Sequence, residues 1–271
     1  MPSLFAILLV FPAIGALSGL LAGMFGIGGG LVIVPALSAV FAAGLVAVEP
    51  AARMHVALGS SLAVIVFTAL SSLRAHHGYG AVLWPAVRSL APGVVIGALC
   101  GAWLADALAT RSLEIVFGLF AIVMALQIGF APKIEPVAHG PLPRWPRNLA
   151  AGTVIGTVSA LGGIGGGVLT VPYLVFHSVP MRMAVGTAAA CTLPVALSGA
   201  LGYGLAGQSA ASPALATGYL YWPAIAVIAL ASMVTAPLGA RLAHRLPVLQ
   251  LRRLFAVLLL VVAADMLVGG H

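Results

Sequence analysis

Charge is scarce in this chain. Its 271 residues carry 12 lysines and arginines against 5 acids, 6% charged in all, where a soluble domain needs roughly 25% to keep its surface wetted. That shortage, with a mean hydropathy of +1.18, excludes a soluble globular protein. Acids are rarest. No acid pair, nucleophile–base pair or nucleotide-binding P-loop can be found, so an enzyme is hard to build and no cofactor is implied. The two cysteines, Cys100 and Cys191, stand in neither a CxxC nor a metal-ligand spacing. That argues against a disulfide framework and a zinc site, and each reads as a small buried hydrophobe. Basic runs interleaved with aromatics are missing too, so no nucleic-acid surface is visible. The net charge of +7 then reports membrane topology rather than a polyanionic partner. A basic n-region is absent from Met1–Ala22, and this first apolar stretch is read as retained rather than as a cleaved signal.

What is there in abundance is apolar sequence, 62% of the chain. Stretches near the roughly 20 residues needed to span a bilayer recur from end to end, as in a multi-pass protein of the bacterial inner membrane. They also repeat. Gly26-Ile27-Gly28-Gly29-Gly30 runs on to Val34-Pro35, and Gly163-Ile164-Gly165-Gly166-Gly167 runs on to Val171-Pro172 at the same spacing. Ala57-Leu58-Gly59-Ser60 matches Ala184-Val185-Gly186-Thr187, Trp84-Pro85 matches Trp222-Pro223, and Gly101-Ala102 matches Gly239-Ala240. Four matches in one order predict two related transmembrane repeats, 1–131 and 147–271. The stretch between them, 132–146, holds Lys133, Glu135, Pro136, Pro141, Pro143 and Arg144 and reads as a cytoplasmic linker.

Each half contains five apolar segments, near 4–24, 28–47, 54–73, 81–105 and 112–131, then near 148–161, 165–179, 183–206, 219–240 and 248–268. At about 1.5 Å per residue, Asn148–Val179 is too short for two full crossings of a ~30 Å core. This pair is therefore expected as a re-entrant hairpin or as two shortened helices. The first-half pair is long enough to span twice. If each half crosses an odd number of times, Arg74, Arg88, Lys133, Arg144, Arg147, Arg182, Arg241, Arg245, Arg252 and Arg253 share one side. Arg53 and Arg111 alone take the other. The positive-inside rule prefers this arrangement, which makes the repeats inverted and puts both termini outside. The expected fold is all-α, a polytopic transmembrane helical bundle of two inverted repeats. It has about 8–10 membrane segments, with discontinuous or re-entrant helices at the Gly-rich runs.

Three adjacent glycines inside apolar sequence are costly as helix, about 1 kcal/mol each relative to alanine. They free backbone groups that lipid cannot satisfy. Each run feeds a new apolar segment, so a glycine loop opening on a helix N-terminus is implied, with N–H groups and the positive dipole end turned to a cavity. Close helix packing is the plainer use of such glycines, but two copies at equivalent places favour a site. Gly28, Gly29, Gly30, Gly165, Gly166 and Gly167 are therefore the candidate substrate-binding residues. A second matched pair of segment starts, His55-Val56-Ala57-Leu58-Gly59-Ser60-Ser61 and Arg182-Met183-Ala184-Val185-Gly186-Thr187-Ala188, adds Ser60, Ser61 and Thr187 as hydroxyl donors. It also adds His55 and Arg182 as cations at equivalent spacing. Hydroxyls in membrane helices equally serve their own i−4 carbonyls, and both readings stand at this point. Asp265, Asp106, Glu114, Glu135 and the His76-His77 pair read as interfacial or loop groups.

The paired runs Gly26–Pro35 and Gly163–Pro172, with the HxAxGSS and RxAxGT segment starts, resemble the sulfite exporter TauE/SafE family over nearly the whole chain. The resemblance implies a permease for sulfur-containing anions such as sulfite, sulfoacetate and related organosulfonates, moved outward across the bacterial cytoplasmic membrane. The chain departs from that pattern at Ala188, where a hydroxyl residue often follows the threonine, so the two sides of any site are unequal. The leading expectation is a secondary transporter for a small anion, working by alternating access with a lipid bilayer as its solvent. A non-transporting membrane scaffold and an anion channel are the alternatives, and homo-oligomerisation is left open.

Overall fold

The computed structural model describes residues 4, 6–25, 28–130, 145–209, 213–243 and 248–269. The expected linker lies outside them as far as Arg144, as do Gly26 and Ile27 of the first glycine run. The described chain is a helical bundle. A π-helical turn, Ala6–Val10, leads into α1 (Phe11–Phe25), followed by α2 (Gly30–Ala42), α3 (Arg53–Gly78), α4 (Trp84–Asp106) and α5 (Thr110–Phe130). Then come α6 (Trp145–Leu161), α7 (Gly167–Phe176), α8 (Met181–Ala206), α9 (Trp222–Ala243) and α10 (Val248–Val268). A two-residue hairpin, β1 (Ala216–Thr217) with β2 (Leu220–Tyr221), precedes α9. Six of these helical stretches, in α1, α3, α4, α5, α8 and α9, are long and apolar enough to cross a bilayer.

α2 and α7 are not. With 13 and 10 residues they reach about 20 and 15 Å, short of a ~30 Å core. The shortness of α7 follows the expectation for its segment. α2 is shorter than the 28–47 stretch suggested, because Gly44 takes a left-handed φ of 69° and turns the chain just after Ala42.

Packing exchanges helices between the first five and the last five. α4 lies on α6 while α9 lies on α1; α4 also packs on α8 and α9 on α3; α5 pairs with α10 and α3 with α8. Glycines make the closest crossings possible. A Cβ placed on Gly93, Gly97 or Gly101 of α4 would strike the backbone carbonyls of Leu149, Thr153 or Thr157 of α6. On the matching crossing, a Cβ on Gly15 or Gly19 of α1 would strike Ile228 or Ser232 of α9, and one on Gly239 would strike Leu20. Small residues of this kind let membrane helices touch backbone to backbone, where dispersion and weak hydrogen bonds replace the absent hydrophobic drive.

The bundle has two chemically distinct ends. At one, His55, Asp106, Tyr219 and Arg111 gather, with Arg111 donating to the Met266 carbonyl at 3.0 Å and to Glu114 at 3.1 Å. At the other, the Leu83 N–H meets Thr187, and Trp84 stands edge-on to His77. The bulk of the large side chains, among them Phe11, Phe41, Phe117, Phe255 and Leu37, is fully buried between α1, α2, α3, α5 and α10.

Candidate functional site

Both glycine runs form sharp turns inside the bundle. In the first, Gly28 and Gly29 have φ of 79° and 76°, a left-handed conformation that costs other residues dearly. The Gly29 carbonyl then accepts the Val32 and Ile33 N–H groups to start α2. In the second, Gly163 takes a φ of 59°, the Ile164 N–H donates to the Ser159 carbonyl at 2.9 Å, and α7 begins at Gly167.

The two turns touch. A Cβ on Gly28 would sit 3.7 Å from the Gly165 Cα, and one on Gly30 would sit 2.5 Å from the Gly163 carbonyl oxygen. One on Gly165 would sit 2.6 Å from the Thr192 methyl and 2.8 Å from Ile65. A side chain at Gly30 would therefore drive the turns apart, and one at Gly165 would push against α3 and α8. Two carbonyls of the second turn are tied by hydroxyls: Ser61 donates to Gly163 at 2.8 Å and Thr192 to Gly165 at 3.2 Å. Two helix N-termini thus stand together, each with the positive end of its dipole at the shared turn.

A cavity of about 550 Å³ reaches this meeting point at Gly28 and Thr192. It runs along α3 past Thr68, Ser72 and His76 to Tyr79, with Ala22 and Gly23 of α1 and Met233 and Pro237 of α9 on the facing wall. Its polar groups are hydroxyls and one imidazole, with no lysine or arginine among the lining residues. Such a wall offers neutral hydrogen-bond donors around two positive helix ends, a setting suited to holding an anion without a fixed ion pair.

The residues expected from sequence take different places. Gly28 lines the cavity; Gly29, Gly30, Gly165, Gly166 and Gly167 are buried immediately behind it. Ser60 and Thr187 do the same job on opposite helices. The Ser60 hydroxyl oxygen accepts the Tyr221 N–H at 3.0 Å, just before Trp222-Pro223, and that of Thr187 accepts the Leu83 N–H at 2.9 Å, just before Trp84-Pro85. Gly59 and Gly186 leave room for the same two incoming strands, against the Tyr219 and Ala81 carbonyls. His55 is buried away from the cavity. Its Nε2 lies 3.0 Å from the Ala105 carbonyl and 3.1 Å from that of Leu108, and its ring stacks on Tyr219 at 4.9 Å. Arg182 is exposed at the start of α8 and lies outside the cavity lining. Equal spacing in sequence did not give the two cations equal surroundings.

Sequence reasoning missed Thr68, Ser72, His76 and Thr192. A signal was present: Thr68, Ser72 and His76 recur every fourth residue and so share one face of α3.

At the opposite end the corresponding path is filled. The alignment that pairs Gly59 with Gly186 pairs Ile65 with Thr192 and His76 with Tyr203. Tyr203 is fully buried, and its hydroxyl donates to the Ala160 carbonyl at 3.1 Å. Its ring stands edge-on to Tyr219, which donates to Asp106 at 2.7 Å. Burial first, and then the bond to the Asp106 carboxylate, push the Tyr219 phenol well above its ordinary value, so it serves as a neutral donor.

Known proteins agree with this architecture. The sequence profile described as sulfite exporter TauE/SafE matches residues 11–266. The chain belongs to that family. A relative from Haemophilus influenzae, named a probable membrane transporter protein, is 36% identical over 97% of this chain and 99% of its own length. The probable membrane transporter protein YunE of Bacillus subtilis is 29% identical over 75% of this chain and 80% of its own. A probable membrane transporter protein of Methanocaldococcus jannaschii is 25% identical over 97% of both chains. No solved structure matches the chain. Family and relatives agree on a multi-pass membrane transporter; neither the family's name nor the relatives' names fix this chain's substrate.

Proposed function

We propose that the chain is a secondary transporter that exports a small sulfur-containing anion, sulfite or an organosulfonate, across the bacterial inner membrane by alternating access. The observation that carries this reading is the contact of the two glycine turns at the inner end of a cavity open on one side. The anion rests where the touching turns Gly28–Gly30 and Gly165–Gly167 close the inner end of the cavity, beside Gly28 and facing the N-termini of α2 and α7. Ser72 and His76 serve as neutral donors along the way in, while Thr68 and Thr192 spend their hydroxyl protons on the carbonyls of Ile65 and of Gly165 and Ala188. Ser60, Ser61 and Thr187 shape the site by holding backbone, and His55 and Arg182 lie outside the cavity.

Inverted repeats fit the contacts. Phe11 at the start of α1 and Phe41 near the end of α2 both stand edge-on to Tyr221, at 6.2 and 6.3 Å. The α1–α2 pair is therefore a hairpin that enters and leaves at one end of the bundle. α6 and α7 make the same excursion from the other end, where Tyr173 donates to Asn148 at 2.6 Å. With α3, α4 and α5 crossing in turn, each half makes an odd number of passes. Arg74, Arg88, Arg147 and Arg182 then share the cavity's end of the bundle, leaving Arg53 and Arg111 at the other. The positive-inside rule makes the cavity cytoplasmic and the linker with it. An inside-negative potential drives an anion outward by about 2.3 kcal/mol per charge per 100 mV, so export needs no nucleotide.

Reconstitution tests this directly. Proteoliposomes loaded with radiolabelled sulfite should show potential-driven efflux that the double variant Gly29→Leu with Gly166→Leu abolishes. Undiminished flux in that variant would remove the glycine turns from the mechanism. Absent flux for sulfite and sulfoacetate in the unaltered protein would remove the substrate class.

A further inference from the structure

Ser159 is fully buried, and its hydroxyl has no hydrogen-bond partner. Its neighbours behave otherwise. Thr153 and Thr157 on the same helix, and Thr170, Thr192 and Thr235 elsewhere in the bundle, each donate to the carbonyl four residues back, the usual resting place of a hydroxyl inside a membrane helix. An orphaned buried hydroxyl is costly and calls for an occupant. Its position is specific. The Ser159 Oγ lies 3.7 Å from where a Cβ of Gly166 would stand, and Gly166 is the residue that opens α7. The alignment of the two glycine runs pairs Ser159 with Ala22, and Ala22 lines the open cavity. The next residue, Ala160, accepts the hydroxyl of the buried Tyr203.

We propose that Ser159 is an oxyanion-binding residue at the N-terminus of α7, sealed behind Tyr203 in the state seen here and uncovered when the path along α8 opens. It supplies a neutral O–H donor to the same anion that the glycine turns hold, so the anion keeps a partner as the cavity changes sides. This rests on the carrier reading and adds a residue and a direction to it.

Ser159→Ala separates the two. Alanine is the best helix former and removes only the hydroxyl. With sodium sulfite as the probe and sodium chloride as the ionic control, the unaltered protein should be stabilised against thermal unfolding and should transport. In Ser159→Ala the midpoint without sulfite should hold or rise, because an orphaned group is gone. The half-saturating sulfite concentration should rise about tenfold or more, the loss of one hydrogen bond to a charged group. A half-saturating concentration within twofold of the parent overturns the Ser159 assignment and leaves the carrier intact. A fall in the unliganded midpoint marks the hydroxyl as structural and also overturns it. If the unaltered protein neither binds nor moves sulfite or sulfoacetate, both readings fall together. A second measurement addresses the hidden state. In a chain carrying Cys100→Ser and Cys191→Ala, Ser159→Cys should react slowly with a membrane-impermeant thiol reagent, and at least tenfold faster once Tyr203→Ala is added. Equal rates would overturn the uncovering step.

Discussion

The path along α3 and the path along α8 are built from equivalent positions, and one is open while the other is packed. His76 faces a cavity; Tyr203, its counterpart, is fully buried against α6. Ala22 lines that cavity, whereas Ser159 is enclosed. On the facing wall Ala236 is half-buried, while Ala98, its counterpart on α4 by the Trp84–Trp222 match, is fully buried. Both helices run for 26 residues from a matched start, α8 with Pro194 in its interior where α3 has no proline, and the side chains along them differ in volume and seating.

The comparison can be broken most severely from the open side. Ser72→Trp places an indole across the cavity where neighbouring groups are half-exposed, so efflux should fall at least about a hundredfold while the thermal midpoint stays close to the parent. Retained efflux would show that the anion takes another route. From the packed side, Tyr203→Ala removes a large buried ring and should cost about 3–5 kcal/mol, read as a lower midpoint in detergent. A near-neutral result would mean that the ring seals nothing. Ser61→Ala leaves the Gly163 carbonyl without its hydroxyl donor, a loss of about 1–3 kcal/mol, whereas Ala188→Ser on the other side should change stability by less than about 0.5 kcal/mol. Equal effects from the two would erase the asymmetry between the turns. A modest change is expected in Asp106→Asn, which keeps an acceptor for Tyr219 but removes its charge. About 1 kcal/mol should be lost, and a midpoint above the parent's would show that the carboxylate opposes closure.

Much of the architecture was legible in the residues. Ten apolar segments became ten helices within a few residues, because lipid leaves the backbone no other open-chain solution. The glycine runs were legible as turns, since three adjacent glycines weaken any helix they interrupt. The contact between those turns was not, because it depends on the way α2 and α7 dock, and no local pattern encodes docking. Ser60 and Thr187 invited a ligand role by type, yet their oxygens serve the backbone of distant strands, a use visible only in three dimensions. The end of α2 at Ala42 was obscured by apolar sequence that continues through a turn. His55 and Arg182 mislead for a similar reason, as matched spacing says nothing about which carbonyls a folded chain brings near.

The glycine crossings carry a mechanical consequence. Where backbones clasp with no side chain between them, sliding would require helices to climb over one another, so α1 with α9, and α4 with α6, travel as solid pieces. Each clasp joins a helix of the first five to one of the last five. The rigid units of this fold are therefore not its two sequence halves but hybrids that draw one helix from each. Either half made alone in a membrane would lack the clasping partners of two of its helices and should wait, unassembled, for the other.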